Sequence, residues 1–178
     1  METVAFASAE LMQDRSGGEI SPTSHTYLER ELKAATQRIR NFCGWHVAKV
    51  ETLTYRHAGP FVRDVWLPAM EIASIDSVRV NGTVWETPAV AGVEFDPDTG
   101  WTNLRGRDVL VTFTAGYAEV PADIEALTLE LAAVGLGTSL GFSRQQAGAV
   151  SVSFDRSGGG LSADAEAQLA PYRVEHLP

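Results

Sequence analysis

Near the middle of the chain, Asp96-Pro97-Asp98-Thr99-Gly100 sets two carboxylates one residue apart, the opening of a calcium-loop spacing. Such a loop needs a third early ligand and a closing bidentate glutamate, and neither is present. The segment reads instead as a tight reversal, with proline fixing one φ and glycine supplying the opposite sign. Asn81-Gly82-Thr83 has the spacing of a glycosylation acceptor. Asn-Gly between two β-rich runs is also the strongest short hairpin signal, because both residues accept the positive φ of a type I′ turn. Ser157-Gly158-Gly159-Gly160 holds no lysine to reach a phosphate and has no helix directly behind it, so it reads as linker.

His25, His46, His57 and His176 fall in separate segments, with no nucleophile or carboxylate at a telling spacing. No catalytic triad is nominated, although folding could still bring a distant acid and base together. The single cysteine, Cys43, excludes an internal disulfide and belongs to no cysteine-histidine ligand set; it reads as a helix-core thiol. No metal or cofactor site is expected. Trp66, Trp85 and Trp101 lie on predicted strands and fit either a core or a sugar-binding face.

The 178 residues, 44% of them hydrophobic, suffice for one domain with extensions and a real core. No run of about 18 apolar residues is present to span a membrane. The start, METVAFASAELMQD, lacks the basic head and apolar stretch of a secretory signal, which predicts a cytoplasmic protein. A net charge of −9 argues against a surface that grips nucleic acid phosphates. The charge is uneven: from Glu71 to Glu130 eleven acids stand against three arginines, while Arg30 to Arg40 is basic.

The elements follow from periodicity. Ser8 caps a short helix over Ala9 to Gln13, which Gly17 and Gly18 end. Pro22 or Ser24 opens a long amphipathic helix with Leu28, Leu32, Ala35, Ile39 and Phe42 in one stripe, stopped by Gly44. From Trp45 to Phe113 the signals are strands: HVAKVETLTYR, VWLP, SIDSVRV with TVW, VEFDPDTGWTNL, and a last strand alternating Val109, Val111 and Phe113. An antiparallel meander is the expected arrangement. Gly116 breaks the last strand and Pro121 opens a helix to about Leu136 that is apolar on almost every face. Either another subunit supplies part of its cover, with Leu127, Leu131 and Val134 as the contact, or it is a central core helix with Glu125 and Glu130 at its rim.

Beyond it a glycine-rich stretch leads to AVSVSF, a brief strand or extended arm. Ser162 caps a last helix over Ala163 to Leu169, which Pro171 ends. The fold class is thus α+β: a small helical bundle, formed by the long N-terminal helix and the central apolar helix, with an inserted antiparallel β meander and an extended C-terminal tail. Residues 1–156 form one domain. Residues 157–178 form a flexible linker and tail that docks on a partner or frays, and that is expected to be dispensable for folding.

In its order of parts the chain resembles the head-to-tail connector, or adaptor, proteins of long-tailed bacteriophages. The resemblance covers roughly residues 24–135. It rests on RIRNFCGW closing the early helix, VWLPAMEIASIDSVRVNG, and above all VTFTAGYAEVPADIEALTLELA. LSADAEAQLAPYRV also matches the family's ending, a short helix leading to a Tyr-Arg pair, here Tyr172-Arg173. The chain departs from the pattern where the family's apolar helix runs into a polar, arginine-containing end, since VGLGTSLGFSRQQAG breaks up in glycines.

The resemblance implies a structural virion protein without catalysis or cofactor, assembled in host cytoplasm. It implies a homo-oligomeric ring, usually of twelve copies, that binds the portal protein of the filled head and presents its other face to the stopper or tail. Leu169, Tyr172 and Arg173 would then dock on the portal, and DNA would pass through without specific binding, past acidic loops carrying Glu94, Asp96 and Asp98. A stopper or tail-terminator of the same junction, and a small carbohydrate-binding β module using Trp85 and Trp101, are the competing readings.

Overall fold

In a computed structural model the described residues are 4–137 and 161–174, and they form an α+β protein. The predicted strand AVSVSF and the linker at 157–160 lie outside them. The chain divides into two compact units: Met1–Phe42 with Val120–Pro171, and Cys43–Glu119 with Tyr172–Pro178. The β region is thus inserted between the helices, although the contacts cluster into two units within the 1–156 stretch taken above as one domain.

The helical unit opens with α1, Ala9–Arg15, whose cap is as expected: Ser8 Oγ accepts from the Leu11 amide at 3.1 Å. The long helix α2 runs over Leu28–Cys43 and does not begin at Pro22 or Ser24. Local bonds hold that stretch out of the helix. Ser21 and Ser24 exchange amide-to-hydroxyl bonds at 3.0 and 3.2 Å, and Ser24 Oγ meets His25 Nδ1 at 2.9 Å. Short polar side chains compete with a helix for its backbone in this way. The stripe Leu28, Leu32, Ala35 and Ile39 is buried, and it closes on Cys43 and Thr36 while Phe42 stays half-buried. Thr36 is satisfied by the Phe6 amide at 2.9 Å. Burial without a charged neighbour pushes the Cys43 thiol up to about 12, so it is an inert core group.

The helix α4, Ala122–Gly135, buries Ile124, Leu127, Thr128, Leu129, Leu131, Ala132 and Ala133. Those positions run around the helix, as its sequence implied. Thr128 avoids an orphaned hydroxyl by donating to the Ile124 carbonyl at 2.7 Å. The short helix α5, Ala163–Leu169, is capped by Ser162, whose Oγ accepts from the Ala165 amide at 3.2 Å, and it packs on α4.

The β unit holds β1 (Glu51–Val62), β2 (Val65–Trp66), β3 (Ile72–Val80), β4 (Thr83–Val84), a single helical turn α3 (Thr87–Val90), β5 (Trp101–Thr102) and β6 (Gly106–Ala115). The strands are antiparallel but do not form a meander. The main sheet has the order β1-β6-β3-β4, and β2 pairs with β5 apart from it. The last strand takes the centre because its inner face is the most completely apolar: Val109, Val111, Phe113 and Ala115 are all buried. On β1, at the edge, the matching residues Leu53, Tyr55 and His57 are only half-buried. Asn81 and Gly82 join β3 to β4 with φ of 49° and 87°, the expected type I′ turn.

Truncating Leu131, which is 3% exposed, to alanine should cost roughly 2 to 5 kcal/mol through lost transfer energy and a residual cavity. Half-buried Val134 should tolerate the same change at roughly 1 kcal/mol or less. Chemical denaturation of the two variants checks this, and equal stabilities would contradict the burial.

Candidate interaction surfaces

The three central-helix positions separate on folding. Leu127 and Leu131 are closed off within the chain, while Val134 remains half-exposed near the helix end. Beside that end a surface recess of about 520 Å³ is lined by Tyr27, Arg30, Glu31, Gly135 and Leu136. Sequence reasoning did not single it out, because its two walls are a hundred residues apart.

The described part of the tail packs on its own chain. In the helical unit Ala165 and Leu169 are each 1% exposed. In the β unit Trp45 Nε1 donates to the Tyr172 carbonyl at 2.7 Å, and the Val174 amide donates to the Cys43 carbonyl at 3.0 Å. The Tyr172 ring meets Tyr117 edge-on, with centroids 5.8 Å apart. Leu169 therefore anchors the tail internally, Tyr172 is half-buried, and Arg173 is the member of the expected docking set that reaches solvent. These contacts argue against a tail that folding could dispense with: apolar Leu169 and Val174 find cover at home, and Trp45 takes its hydrogen-bond partner there.

Of the acidic trio, Glu94 and Asp98 are exposed and Asp96 is half-buried. Asp96 serves its own turn. Its Oδ1 accepts from the Asp98 amide at 2.9 Å and from the Thr99 amide at 3.4 Å, and its carbonyl accepts from the Gly100 amide at 3.0 Å. The bond from the Asp98 amide, foremost, holds the Asp96 carboxyl below the usual carboxylate range.

Among the described residues no group of histidine, cysteine and acid side chains is placed to hold a metal ion, and no helix is long and apolar enough to cross a membrane. His46 Nε2 bonds the Ala115 carbonyl at 3.0 Å, and His57 Nε2 bonds the Pro60 carbonyl at 2.9 Å. His176 lies outside the described residues. Trp66 and Trp101 pair across β2 and β5, all three sheet tryptophans are half-buried, and Trp85 sits on the separate β3–β4 hairpin.

One feature of β1 went unread in the sequence. Its ladder with β6 shifts between Ala58↔Asp108 and Val62↔Gly106, so four steps on β1 oppose two on β6. The surplus forms a bulge closed by the His57–Pro60 bond, and it leaves Phe61 54% exposed. Gly59-Pro60 inside a strand pattern was the available signal.

No family model matches the chain, and no curated protein does. A phage-like neck chain shares the fold. It belongs to the neck of an empty gene transfer agent (GTA) particle, a structure computed with C6 symmetry, and the superposition covers 100% of this chain and 95% of that one with a TM-score of 0.59. The identity is 17%, so what is common is the fold, carried from end to end.

Because the described part of the tail packs on its own chain, truncation after residue 160 should destabilise the protein. Loss of the Tyr172 carbonyl alone leaves the buried Trp45 indole unsatisfied, at about 1 to 3 kcal/mol, and the uncovered apolar surface adds to that. Denaturation followed by tryptophan fluorescence reads this, and an unchanged midpoint would refute it. The Asp96 turn has an acid limb. Its folded pKa is depressed, so its contribution is complete above about pH 3.9, the ordinary aspartate value, and is lost as pH falls through the lower folded value. A carboxyl NMR titration should place the Asp96 midpoint below that of an unstructured aspartate. A midpoint at or above it would show that the turn does not hold the ionised form.

Proposed function

We propose that this protein is a structural component of a phage-like head-to-tail junction, an adaptor that forms a ring under the portal and connects the DNA-filled capsid to the stopper or tail. The observation that carries the reading is the whole-length fold likeness to a chain of a GTA particle neck. The adaptor assignment within the junction is supported by the order of parts described above, from RIRNFCGW through VWLP to VTFTAGY with VPADI.

The ring is homo-oligomeric, and twelve copies are compatible with sixfold symmetry of the kind used for the neck structure. Leu127 and Leu131 fix the central helix from within, and half-exposed Val134 carries its side of the subunit contact. Exposed Arg173, beside the half-buried Tyr172, is the portal contact, with Leu169 anchoring the segment that presents them. Glu94 and Asp98 face the lumen, where carboxylates repel the duplex and let it slide; Asp96 shapes their turn. The role calls for no reaction and no cofactor, and it places the protein in the virion.

Electron microscopy of the protein mixed with isolated portal rings should show a second ring stacked on the portal. The assembled ring should bind no duplex DNA even at about 0.01 M salt, where screening reaches only beyond about 30 Å. Random attachment, or none, would sink the adaptor reading, and tight, salt-sensitive DNA binding would overturn the acidic lumen.

A further inference from the structure

The two ends of the main sheet carry opposite charge. At one end the pair Val62↔Gly106 is flanked in sequence by Arg63, Arg105 and Arg107, all exposed, against one exposed acid, Asp64, and the bulge sets Phe61 beside them. No carboxylate pairs with these three arginines among the described residues, and the Arg56–Asp108 ion pair at 2.8 Å lies further along the strands. At the other end, where β1 and β3 both register on Ala115, half-buried Glu51 and exposed Glu71 and Glu119 gather, against one exposed cation, Lys49. Backbone contacts draw them together: Glu51 pairs with Ala115, and the Gly116 amide donates to the Glu71 carbonyl at 3.1 Å.

The strand β3 runs from the acidic end to the basic one, nine residues or roughly 26 Å at about 3.3 Å per step. That is about three Debye lengths at physiological salt, so the ends do not neutralise each other within one chain. Each is open to a partner of opposite sign, and the chain itself carries both.

We infer that the occupant of the Phe61–arginine end is a second copy of this chain, through the acidic end of its sheet. Two different patches meeting head-to-tail make a heterologous contact, the kind that generates a ring when its rotation closes. An exposed aromatic beside arginines is the composition found where interfaces concentrate energy. A phosphate-binding surface needs the arginines but gives no role to a phenylalanine raised on a bulge. The inference rests on the ring reading above and specifies which surfaces join neighbours.

Sedimentation velocity over a concentration series at low salt tests it. The wild-type chain should self-associate. Arg63→Glu with Arg107→Glu should weaken that association at least tenfold, as should Glu71→Lys with Glu119→Lys, and an equimolar mixture of the two variants should restore it because their ends are again opposite. Phe61→Ala, at an exposed position, should weaken association several-fold with an unchanged melting curve. A wild-type chain monomeric throughout, indifferent variants, or a mixture without rescue would overturn the proposal. Duplex DNA binding that Arg63→Glu with Arg107→Glu abolishes would do so too, by assigning the arginines to phosphate. The neck reading fails or stands separately: charge-reversed chains that still form a ring on the portal sink only the head-to-tail contact. Wild-type chains that self-associate as described but never seat on a portal sink only the neck assignment.

Discussion

The β unit depends on a close approach at Gly116. A Cβ there would lie 2.5 Å from His46 Nε2 and 2.8 Å from the Lys49 carbonyl, and the residue holds φ at 119°. Only glycine meets both demands. On one side His46 reaches the neighbouring Ala115 carbonyl; on the other the Gly116 amide takes the Glu71 carbonyl. The entries to β1 and β3 are thereby fastened to the end of β6, and both ladders start their register from Ala115. A slip of one residue from that point would turn Val109, Val111 and Phe113 to the outer face, so fixing one end fixes which side of the sheet is core.

That constraint explains what could and could not be read from the chain alone. Local signals carried well: the Ser8 and Ser162 caps, the Asn81-Gly82 turn, the alternation of β6 and the all-round apolarity of α4 are each decided within a few residues. Strand order is not a local property. A meander pairs neighbours in sequence, yet β6 pairs with β1 across more than forty intervening residues because the most apolar inner face gains most from a central place. The start of α2 was misread for the opposite reason: Ser21 and Ser24 have the chemistry of helix caps, and they spend it on each other.

The tail shows how a composition argument misjudges a surface. Ser162 to Val174 follows a glycine linker and ends in an aromatic-basic pair, which suggests a segment awaiting a partner. The apolar residues of that stretch, Ala165, Leu169 and Val174, instead find their cover within the chain, and Tyr172 gives its carbonyl to Trp45. What is left for a partner is only what the fold does not consume. The same subtraction removes Leu127, Leu131 and the Asp96 carboxylate from the interaction candidates and leaves Val134, Glu94 and Asp98.

Applied to the sheet, the subtraction leads to residues that no spacing pattern marked. Phe61 has no periodic signature, and its neighbours in sequence form a strand that would ordinarily bury or pair it. Only the two-residue surplus against β6 expels it, and only the register brings Arg105 and Arg107 to the same end. Those arginines looked like isolated charges in an acid-rich region of a chain carrying −9 overall. Folding converts that scatter into a separation along β3. A chain whose net charge opposes self-association in bulk can still attract its own copy end to end, because at physiological salt each contact senses the charges within about 8 Å and not the total.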